Sequence, residues 1–492
     1  MPDSIASIIR IIEAANPKLD TSVVQRAYDF ALAAHEGQKR ASGEPYIVHP
    51  LATAKTLAKM RVDLNTIAAG LLHDVADDTA FGLKEIEVAF GPDVAELVKG
   101  VSKLGKLKFR GIERYVENLR KMFIAMARDM RVVLIKFADR LHNLKTLESL
   151  PEEKRQRIAR ETLEIYAPIA HRLQMGDLRD KLEDYAFEHL YPQEYQWIQN
   201  LTGHRRSEKK HYLERVRKRI ERELQRSHIP LVSIQGRSKH LYSLYKKLLS
   251  RDRDITKVYD LVALRIIVKN IQDCYATLGV LHNLYRPLKG RIKDYIAQPK
   301  PNGYQSLHTT VFCDDGEIVE FQIRTDAMHK EAEFGITAHW NYEERGAVAI
   351  DKKLRWVRDL LKFQRSITDN RQFLDTVKLD IFQDRIFVST PDGDVLELPE
   401  NSTPVDFAYH IHTDIGNKCS WAKVNDMITP LDTRLQSGDV VEIFVDKNRK
   451  GPSPDWLNFV KTTSARQKIR AHTKQRLFER LKNFVSHPTP VG

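Results

Sequence analysis

The sequence predicts a multidomain protein with an all-α domain, an α/β domain and a small β-rich module, in that order. Apolar residues recur every three or four positions over residues 1–195, as in DMRVVLIKFADRLHNLKTL, which is the period of an amphipathic helix. Over residues 196–342, strand-like apolar segments such as LVALRIIVK alternate with helical segments, as in α/β proteins. Short strands with turn signals, such as RIFVST and DVVEIFV, fill residues 380–446.

Two further segments separate and follow these domains. Residues 343–379 are charged and helical in pattern, and we interpret them as a connector. Residues 447–492 form a basic helical tail, in which positions 447–482 carry eleven Lys or Arg against Asp455 and Glu479. This net charge of +9 leaves +4 of the chain's +13 for the rest. The tail therefore favours polyanionic partners such as nucleotides or RNA, and a solvated basic surface is the alternative interpretation.

The composition gives three expectations about location. The sequence holds no apolar run of about 18 residues or more, so no transmembrane helix is predicted. The N-terminal stretch MPDSIASIIRIIEAANP lacks a basic start, so no signal peptide is predicted. Cys274, Cys313 and Cys419 are widely spaced and form neither a disulfide framework nor a zinc pattern, which favours a reducing, cytoplasmic location.

The segment LLHDVADDT places one histidine and three carboxylates within six residues. On a helix, residues four apart share a face, so the histidine would pair with Asp77, and Asp74 with Asp78. His49 and Asp139, on other predicted helices, are candidates for further metal ligands. Such mixed donors suit manganese, iron or zinc, and the bound ion would activate water for phosphoryl chemistry. Without these partners, the pattern would be an ordinary acidic helix end.

A second group of candidate residues lies in the α/β domain. The segment QGRSKHLYSLYKKL carries four cations within eleven residues, Arg237, Lys239, Lys246 and Lys247. On charge alone, this segment could be a solvated helix face. However, Asp260 and Glu320 fall in apolar strand patterns, where a carboxylate is costly unless it binds a metal or a cation. Strand carboxylates facing a basic loop are what a Mg²⁺–triphosphate transfer site requires.

Longer stretches of the chain resemble one known family. GQKRASGEPYIVHP, LLHDVADDT and FADRLHNLKT are similar to the hydrolase domain of the RelA/SpoT homologues, and RIKDYIAQPKPNGYQSLHTTV resembles their synthetase signature. Residues 380–446 resemble a TGS domain. The resemblance implies an HD-type helical hydrolase, an α/β nucleotidyltransferase-like synthetase and a β-grasp, ubiquitin-like module. It also implies a bifunctional enzyme, which makes ppGpp or pppGpp from ATP and GDP or GTP and removes their 3′-diphosphate.

For the helical domain, the resemblance implies one Mn²⁺ with four ligands, His49, His73, Asp74 and Asp139. It also implies nucleotide contacts from Lys39, Arg40 and Asn143. One position departs from the family, because Asp77–Asp78 stands where hydrolytic members have glutamate and then aspartate. In the family this pair positions or deprotonates the attacking water, so the shorter Asp77 could slow the reaction. We expect the hydrolase to be active.

For the α/β domain, the resemblance implies Mg²⁺ bound by Asp260 and Glu320, with Glu320 also activating the 3′-hydroxyl. Tyr304 would stack on guanine, and its alternative role is that of a core tyrosine at a strand edge. The ATP phosphates would be clamped by Arg237, Lys239 and Lys247, beside Lys246. The other substrate-binding candidates are Arg265, Arg291, Lys293, Lys300, Asn302, His308, Gln322 and Arg324. Arg291 and Lys293 form a basic motif that accompanies bifunctional members.

For the β-rich module, the resemblance implies contact with the 3′ end of deacylated tRNA on the ribosome. His410 and His412 are the candidate contacts, although either histidine could instead cap or pack locally. The basic tail would suit RNA phosphates. Full-length relatives continue into further regulatory regions, so the chain is either a naturally short member or a piece of a longer protein.

Two alternatives to a bifunctional enzyme stay open at this point. The first is a synthetase whose helical domain is an inactive regulatory body. The second is an adaptor that binds tRNA or the ribosome and uses its enzyme-like domains to sense nucleotides. The sequence leaves open the preference between GDP and GTP, the balance of the two activities and the oligomeric state.

Overall fold

The computed structural model describes residues 4–105, 111–255, 262–300, 303–339, Val357 and 385–486. The chain divides into two compact units, residues 1–368 and residues 369–492. The predicted all-α and α/β domains lie in the first unit, and the β-rich module and basic tail lie in the second. The predicted connector over 343–379 lies outside the described residues, apart from Val357.

Helices make up the N-terminal domain, which confirms the all-α prediction. They are α1 (Ile5–Ala15), α2 (Ser22–Ala34), α3 (Val48–Lys59), α4 (Leu64–Leu72), α5 (Val75–Asp78), α6 (Leu83–Phe90), α7 (Pro92–Gly105), α8 (Gly111–Arg128), α9 (Met130–Lys145), α10 (Glu152–Glu161), α11 (Ala167–Arg172) and α12 (Gly176–Leu190). We call this set the helical domain. Ser4, Asp63 and Asp129 cap three of the helices by accepting hydrogen bonds from backbone N–H groups of the first turn, as favoured N-cap residues do.

Close packing of α3, α4, α7 and α9 forms the core around the candidate site. A Cβ added at Gly70 of α4 would collide with Leu57 of α3, and one added at Gly100 of α7 would lie 2.6 Å from Val132 Cγ2 of α9. These glycines let the helices approach more closely than larger residues would allow. The side chains of α3, α4 and α9 that point inward are therefore held near one another.

LLHDVADDT was predicted to lie on one helix, but the structure interrupts that helix at His73 and Asp74. Helix α4 ends at Leu72, and α5 begins at Val75. His73 Nδ1 lies 2.9 Å from the Gly70 carbonyl oxygen, which the Asp74 amide would use in a continuous helix. The imidazole competes with the backbone for this acceptor, so the helix breaks at the His-Asp pair.

The α/β domain follows a long helix, α13 (Pro192–Arg226), which runs without a break through the predicted boundary at 195/196. Its strands are β1 (Leu231–Ser238), β2 (Val262–Val268), β3 (Arg286–Pro287), β4 (Lys293–Asp294), β5 (Leu307–Phe312) and β6 (Ile318–Thr325). Its helices are α14 (Leu241–Leu249), α15 (Ile271–Leu284) and α16 (Asp326–Phe334). The predicted strand LVALRIIVK is thus confirmed as β2 where the structure describes it.

The described strands of this domain form one mixed sheet in the order β1-β2-β6-β5-β3, with β4 paired to β5. β2 and β6 run parallel, with Ala263 opposite Glu320, and the other pairs are antiparallel. α13 and α15 pack on the sheet through buried apolar residues, including Ile220, Leu281 and Phe321. The polar residues of β1, β5 and β6 that α13 and α15 do not cover are available to form a site.

The second unit contains a β-grasp-like module, as predicted. Its elements are β7 (Arg385–Ser389), β8 (Val395–Pro399), α17 (Pro404–Ile411), α18 (Thr413–Lys418), β9 (Cys419–Val424), β10 (Met427–Thr429), β11 (Val441–Val445) and α19 (Thr463–Ser486). β7 and β8 form a hairpin, β10-β9-β11 form an antiparallel sheet, and a parallel bridge joins Ser389 to Val440. Residues of the predicted tail also enter the core, where Trp456, Val460 and Ile469 pack against α17.

One buried carboxylate joins α17 to the tail. Asp406 is fully buried and accepts hydrogen bonds from the backbone N–H groups of Thr403, Lys461 and Thr462 at 2.7–3.0 Å. The hydroxyls of Thr403 and Thr462 also donate to it, at 2.9 and 2.8 Å. Asp406 therefore caps α17 and fixes the segment that precedes α19.

Replacing Asp406 with asparagine is expected to destabilise the second unit by about 2–4 kcal/mol. The new amide NH₂ group would face donors that lose their acceptor, and buried donors without acceptors are costly. Hydrogen–deuterium exchange should show lost protection at residues 403–411 and 461–470. Asp414→Asn is the matched control, because Asp414 is largely exposed. Equal protection in both variants would contradict the assigned role.

Membrane-spanning segments and disulfides are not found in the described residues. No helix there is both long and apolar enough to cross a bilayer. Cys274, Cys313 and Cys419 are free and buried, and burial raises the pKa of each thiol to about 12. These thiols are therefore packing residues rather than nucleophiles.

Candidate active sites

Three helical elements bring the predicted metal ligands together. His49 comes from α3, His73 and Asp74 from the junction between α4 and α5, and Asp139 from α9. Nitrogen and oxygen atoms of His49, His73 and Asp74 lie within 4.8 Å of one another. Asp139 Oδ1 lies 3.2 Å from His49 Nε2 and 3.9 Å from His73 Nε2. We call these four residues the ligand cluster.

The ligand cluster fits a divalent ion. His73 Nε2 is buried and makes no hydrogen bond within the described residues, although Asp74 Oδ1 lies 3.3 Å away. A buried nitrogen without a hydrogen bond is costly, and a bound cation would satisfy it. Two imidazoles and two carboxylates are donors that first-row divalent metals accept.

Neighbouring polar groups hold Asp139 and His49 in position. Lys136 Nζ and Asn143 Nδ2 each donate to a different oxygen of Asp139, both at 2.5 Å. Burial opposes the charge of Asp139, but Lys136 and then His49 outweigh it and lower the pKa of Asp139 well below its usual value. Asp139 therefore stays ionised, as a metal ligand must.

His142 orients the ring of His49. The two Nδ1 atoms lie 2.8 Å apart, and burial, followed by His49 and Arg40, lowers the pKa of His142 to about 3. A neutral His142 can accept the proton of His49 Nδ1, which leaves the lone pair of His49 Nε2 directed at the ligand cluster. Burial also lowers the pKa of His49 itself.

The carboxylates of α5 have different partners. Tyr46 Oη lies 2.7 Å from Asp78 Oδ2 and 3.0 Å from Asp74 Oδ2, so one hydroxyl bridges Asp78 and Asp74 of the ligand cluster. Burial, and then Asp74 and Asp78, raise the pKa of Tyr46, which keeps its proton. Asp77 Oδ1 accepts a hydrogen bond from Ser102 Oγ of α7 at 2.8 Å. Asp78 is thus the carboxylate that Tyr46 ties to the ligand cluster, and the shortened Asp77 is tied to α7.

Replacing Tyr46 with phenylalanine is expected to weaken Mn²⁺ binding about 10- to 100-fold, the range for loss of a group that orients a metal ligand. The variant keeps the ring that stacks on His35 at 4.5 Å between centroids and loses the bridging hydroxyl. Isothermal titration with Mn²⁺ alone would measure the effect. Tyr275→Phe is the control. It removes a hydroxyl that donates to Asp294 in the α/β domain, outside the ligand cluster. Unchanged affinity in the Tyr46 variant would exclude the bridging role.

The predicted nucleotide contacts of the helical domain lie beside this cluster. Arg40 Nη2 donates to Asn143 Oδ1 at 2.8 Å, and Arg40 Nη1 lies 3.5 Å from His142 Nδ1. Lys39 is exposed and its backbone pairs with Pro45. Sequence reasoning missed Tyr46 and His142. For His142 the available signal was its spacing, because it lies three positions after Asp139 on α9 and so one helical turn away. Tyr46 precedes α3 and offered no helical signal.

The second candidate site lies at the ends of β1, β5 and β6. Glu320 of β6 accepts from Gln322 Nε2 at 3.1 Å and lies 3.1 Å from His308 Nδ1 of β5. His308 Nε2 in turn lies 3.0 Å from Tyr304 Oη, and burial lowers the pKa of His308. A neutral His308 can donate from Nδ1 to Glu320 and accept from Tyr304. Asp260, the second predicted Mg²⁺ ligand, lies outside the described residues.

Two adjoining cavities open beside Glu320. The smaller, of about 170 Å³, is lined by Glu320, Gln322, Arg237 and Lys239. The larger, of about 370 Å³, is lined by six of the predicted substrate contacts, Arg237, Arg265, Lys300, Tyr304, His308 and Arg324. The cavities share Arg237, so a phosphate chain could extend from one to the other.

The cationic wall of the larger cavity is buried. Arg324 is 1% exposed, and its Nη2 lies 2.7 Å from His329 Nδ1 and 3.5 Å from Glu333 Oε1. Burial, and then Arg265, lower the pKa of Arg324 to about 10. Arg265 Nη1 donates to the same Glu333 oxygen at 2.8 Å. Two guanidinium groups with one shared carboxylate leave positive charge available for an anion.

The other predicted substrate contacts lie outside the lining of the two cavities. Lys246 of α14 lies 3.2 Å from Glu183 of α12, and Lys247 neighbours it on α14. Arg291 and Lys293 are exposed, and Lys293 pairs with His308 across β4 and β5. Asn302 lies outside the described residues. In the second unit, His410 and His412 are exposed at the end of α17, and His412 Nδ1 caps α18 by accepting from the Asp414 amide at 3.2 Å.

An acidic face of α12, in the helical domain, contacts the α/β domain at this site. Asp180 Oδ2 lies 3.6 Å from Arg237 Nη2 and 3.2 Å from His240 Nε2. Asp184 Oδ2 lies 3.1 Å from His240 Nδ1. Burial opposes protonation of His240, but Asp184 and Asp180 outweigh it and raise its pKa. Sequence reasoning missed this contact, because the periodic pattern of a helix does not indicate which other domain its polar face meets.

Three family models match the chain, and they cover both candidate sites. The HD domain matches residues 27–176, the region found in RelA/SpoT proteins matches residues 236–347, and the TGS domain matches residues 386–445. The ligand cluster lies within the first match, and the second match contains Glu320 together with Arg237, Lys239, Arg265, Lys300 and Arg324 of the cavity linings. The three matches follow one another along the chain in the order HD domain, RelA/SpoT region and TGS domain.

Curated relatives match the chain over most of its length. A GTP pyrophosphokinase of Streptomyces coelicolor is 46% identical over 487 residues, which cover 94% of this chain and 57% of the relative. The bifunctional (p)ppGpp synthase/hydrolase SpoT of Escherichia coli is 47% identical over 468 residues, 94% of this chain and 66% of the relative. A guanosine-3′,5′-bis(diphosphate) 3′-pyrophosphohydrolase of Aquifex aeolicus is 47% identical over 458 residues, 93% of this chain and 65% of the relative.

The chain thus spans about three fifths of the length of the curated relatives that it matches. Over that span, the HD domain, the RelA/SpoT region and the TGS domain follow in order, and identity of nearly half extends through all of them. The chain belongs to the RelA/SpoT family.

Proposed function

We propose that this chain is a bifunctional alarmone enzyme. It transfers pyrophosphate from ATP to the 3′-hydroxyl of GDP or GTP, releasing AMP, and it hydrolyses the 3′-diphosphate of ppGpp or pppGpp, releasing pyrophosphate. The observation that carries this proposal is the presence of two separate sites in one chain. One is a cluster of two histidines and two carboxylates, and the other is a carboxylate beside a cationic cavity.

The chemistry of synthesis follows from the groups around Glu320. Arg237 and Lys239 bind the ATP phosphates in the smaller cavity, and Tyr304 stacks on guanine in the larger one. Glu320, oriented by His308 at 3.1 Å, accepts the proton of the 3′-hydroxyl as that oxygen attacks the β-phosphorus of ATP. Asp260 and Glu320 would hold Mg²⁺, which neutralises phosphate charge when bound.

The chemistry of hydrolysis follows from the ligand cluster and α5. His49, His73, Asp74 and Asp139 would hold Mn²⁺, which lowers the pKa of water when bound. Asp78, held through Tyr46, positions the attacking water and accepts its proton, with Asp77 beside it. Arg40 and Lys39 bind the phosphates, and Asn143 contacts the nucleotide. The complete ligand cluster favours an active hydrolase over an inactive regulatory domain.

Assays on the purified chain test both activities. Incubation with ATP, GDP and Mg²⁺ should give AMP and ppGpp in equal amounts, and incubation of ppGpp with Mn²⁺ should give GDP and pyrophosphate. Synthesis without Mn²⁺-dependent hydrolysis would favour the alternative of a synthetase whose helical domain is regulatory. Nucleotide binding without either turnover would instead favour an adaptor.

Deacylated tRNA and the ribosome are the proposed macromolecular partners of the second unit, in the cytoplasm. The support is electrostatic: residues 447–482 carry a net charge of +9, and Arg470 and Lys474 of α19 are exposed. Arg466 of this helix instead serves packing, since it donates to the Val460 carbonyl at 3.0 Å. Affinity for tRNA should fall steeply with salt if phosphates are bound.

A further inference from the structure

The turn between α11 and α12 of the helical domain is seated in the α/β domain. The Leu173 carbonyl accepts a hydrogen bond from the Ile336 amide at 3.1 Å. Gly335 lies directly against this turn, and a Cβ there would be 2.7 Å from the Gln174 carbonyl carbon and 2.8 Å from the Met175 nitrogen. Gly335 also has a positive φ of 59°. The two domains therefore touch backbone to backbone around Gln174.

Gln174 itself has an unusual conformation. Its φ of 62° lies in the left-handed region, which a non-glycine residue adopts uncommonly and at some cost. This backbone directs the side chain at Gly303, where an added Cβ would collide with Gln174 Nε2. Gly303 directly precedes Tyr304 in the chain, and Gln174 and Tyr304 both line the larger cavity.

The amide of Gln174 has unused hydrogen-bonding capacity. Its Oε1 is buried and has no hydrogen-bond partner in the part of the chain that the structure describes. Gln174 lines the 370 Å³ cavity together with Lys300, Tyr304 and His308. A buried acceptor without a donor is unfavourable, and here it belongs to a residue that lines the same cavity as Tyr304. The unmet acceptor points to a ligand with a donor in that cavity.

We propose that Gln174 is a specificity-determining residue that reads the guanine base of the acceptor nucleotide. In this proposal, the 2-amino group of a guanine stacked on Tyr304 donates to Gln174, and adenine and inosine lack that group. An amide oxygen accepts from guanine's donors. The helical domain thus supplies one wall of the nucleotide site of the α/β domain. This inference rests on the proposed function for the identity of the acceptor.

Binding of GDP and inosine diphosphate to the full chain tests the inference, because inosine lacks the 2-amino group. Gln174→Ala and Gln174→Gly both remove the amide, and glycine also relieves the left-handed backbone. Titration calorimetry without ATP should show GDP binding about 10-fold weaker in both variants, as expected for one lost hydrogen bond. Binding of inosine diphosphate should change less than about 3-fold. Tyr304→Ala removes the proposed stacking ring, so the GDP binding that this variant loses is the part that occurs in the larger cavity.

The outcomes separate base reading from a structural role of the turn. If glycine restores GDP affinity while alanine does not, or if both nucleotides weaken equally, the inference is wrong. Wild-type affinity for GDP in both variants would also overturn it. Mn²⁺-dependent hydrolysis of ppGpp should be unchanged, which verifies folding. A chain that binds GDP with this Gln174 dependence but does not turn over would refute the proposed function and support the inference.

Discussion

Replacing Glu320 with glutamine is expected to reduce pyrophosphate transfer by a factor of about 100 to 10,000, the range that a positioned general base contributes. Glutamine has almost the same shape and can still accept from Gln322 Nε2, which lies 3.1 Å from Glu320 Oε1. It cannot take up the proton of the 3′-hydroxyl, and it removes the negative charge that would bind Mg²⁺. The loss should therefore appear in kcat for synthesis.

The hydrolase site of the same molecule is the internal control for this variant. No ligand of the helical domain changes, so Mn²⁺-dependent release of pyrophosphate from ppGpp should stay at the wild-type rate. Glu317→Gln, one residue before β6 begins, is the matched substitution and should leave both activities unchanged. Synthesis at the wild-type rate in the Glu320 variant would refute its assignment, and parallel loss of both activities would indicate misfolding.

Element types were predictable from the sequence because each depends on local periodicity. The alternation in IVEFQIRT became β6, and the helical spacing in DMRVVLIKFADRLHNLKT became α9. The break between α4 and α5 was not predictable in this way. It depends on one hydrogen bond from His73 to the Gly70 carbonyl, and a periodic pattern carries no information about that competition.

The candidate sites were predictable only in part, for a related reason. The resemblance named His49 and Asp139, which lie 90 positions apart and share no periodic pattern. Tyr46 was missed because it lies in the turn before α3, and its role depends on the positions of Asp74 and Asp78. Asp180 and Gln174 were missed because they act across a contact between domains. Such contacts depend on tertiary packing, which no local motif encodes.

Replacing His73 with alanine is expected to weaken Mn²⁺ binding by more than about 100-fold, since loss of a group that merely orients a ligand costs about 10- to 100-fold. His73 Nε2 is buried at 3.3 Å from Asp74 Oδ1, and no solvent-exposed group could replace it without rearrangement of α4. Hydrolysis of ppGpp should fall at least in proportion. Titration calorimetry with Mn²⁺ alone measures the binding directly.

Thermal unfolding gives a second measure that does not depend on turnover. A ligand at about 100 times its Kd stabilises the folded state by about 2.7 kcal/mol, so Mn²⁺ should raise the melting temperature of the wild-type helical domain and not that of the His73 variant. His228→Asn is the matched control, because His228 is exposed and its φ of 56° suits asparagine. Synthesis should be unchanged in both variants. Mn²⁺ stabilisation that is undiminished by the loss of His73 would exclude the ligand cluster as the metal site, since the remaining three ligands would then have to bind the ion as tightly as four.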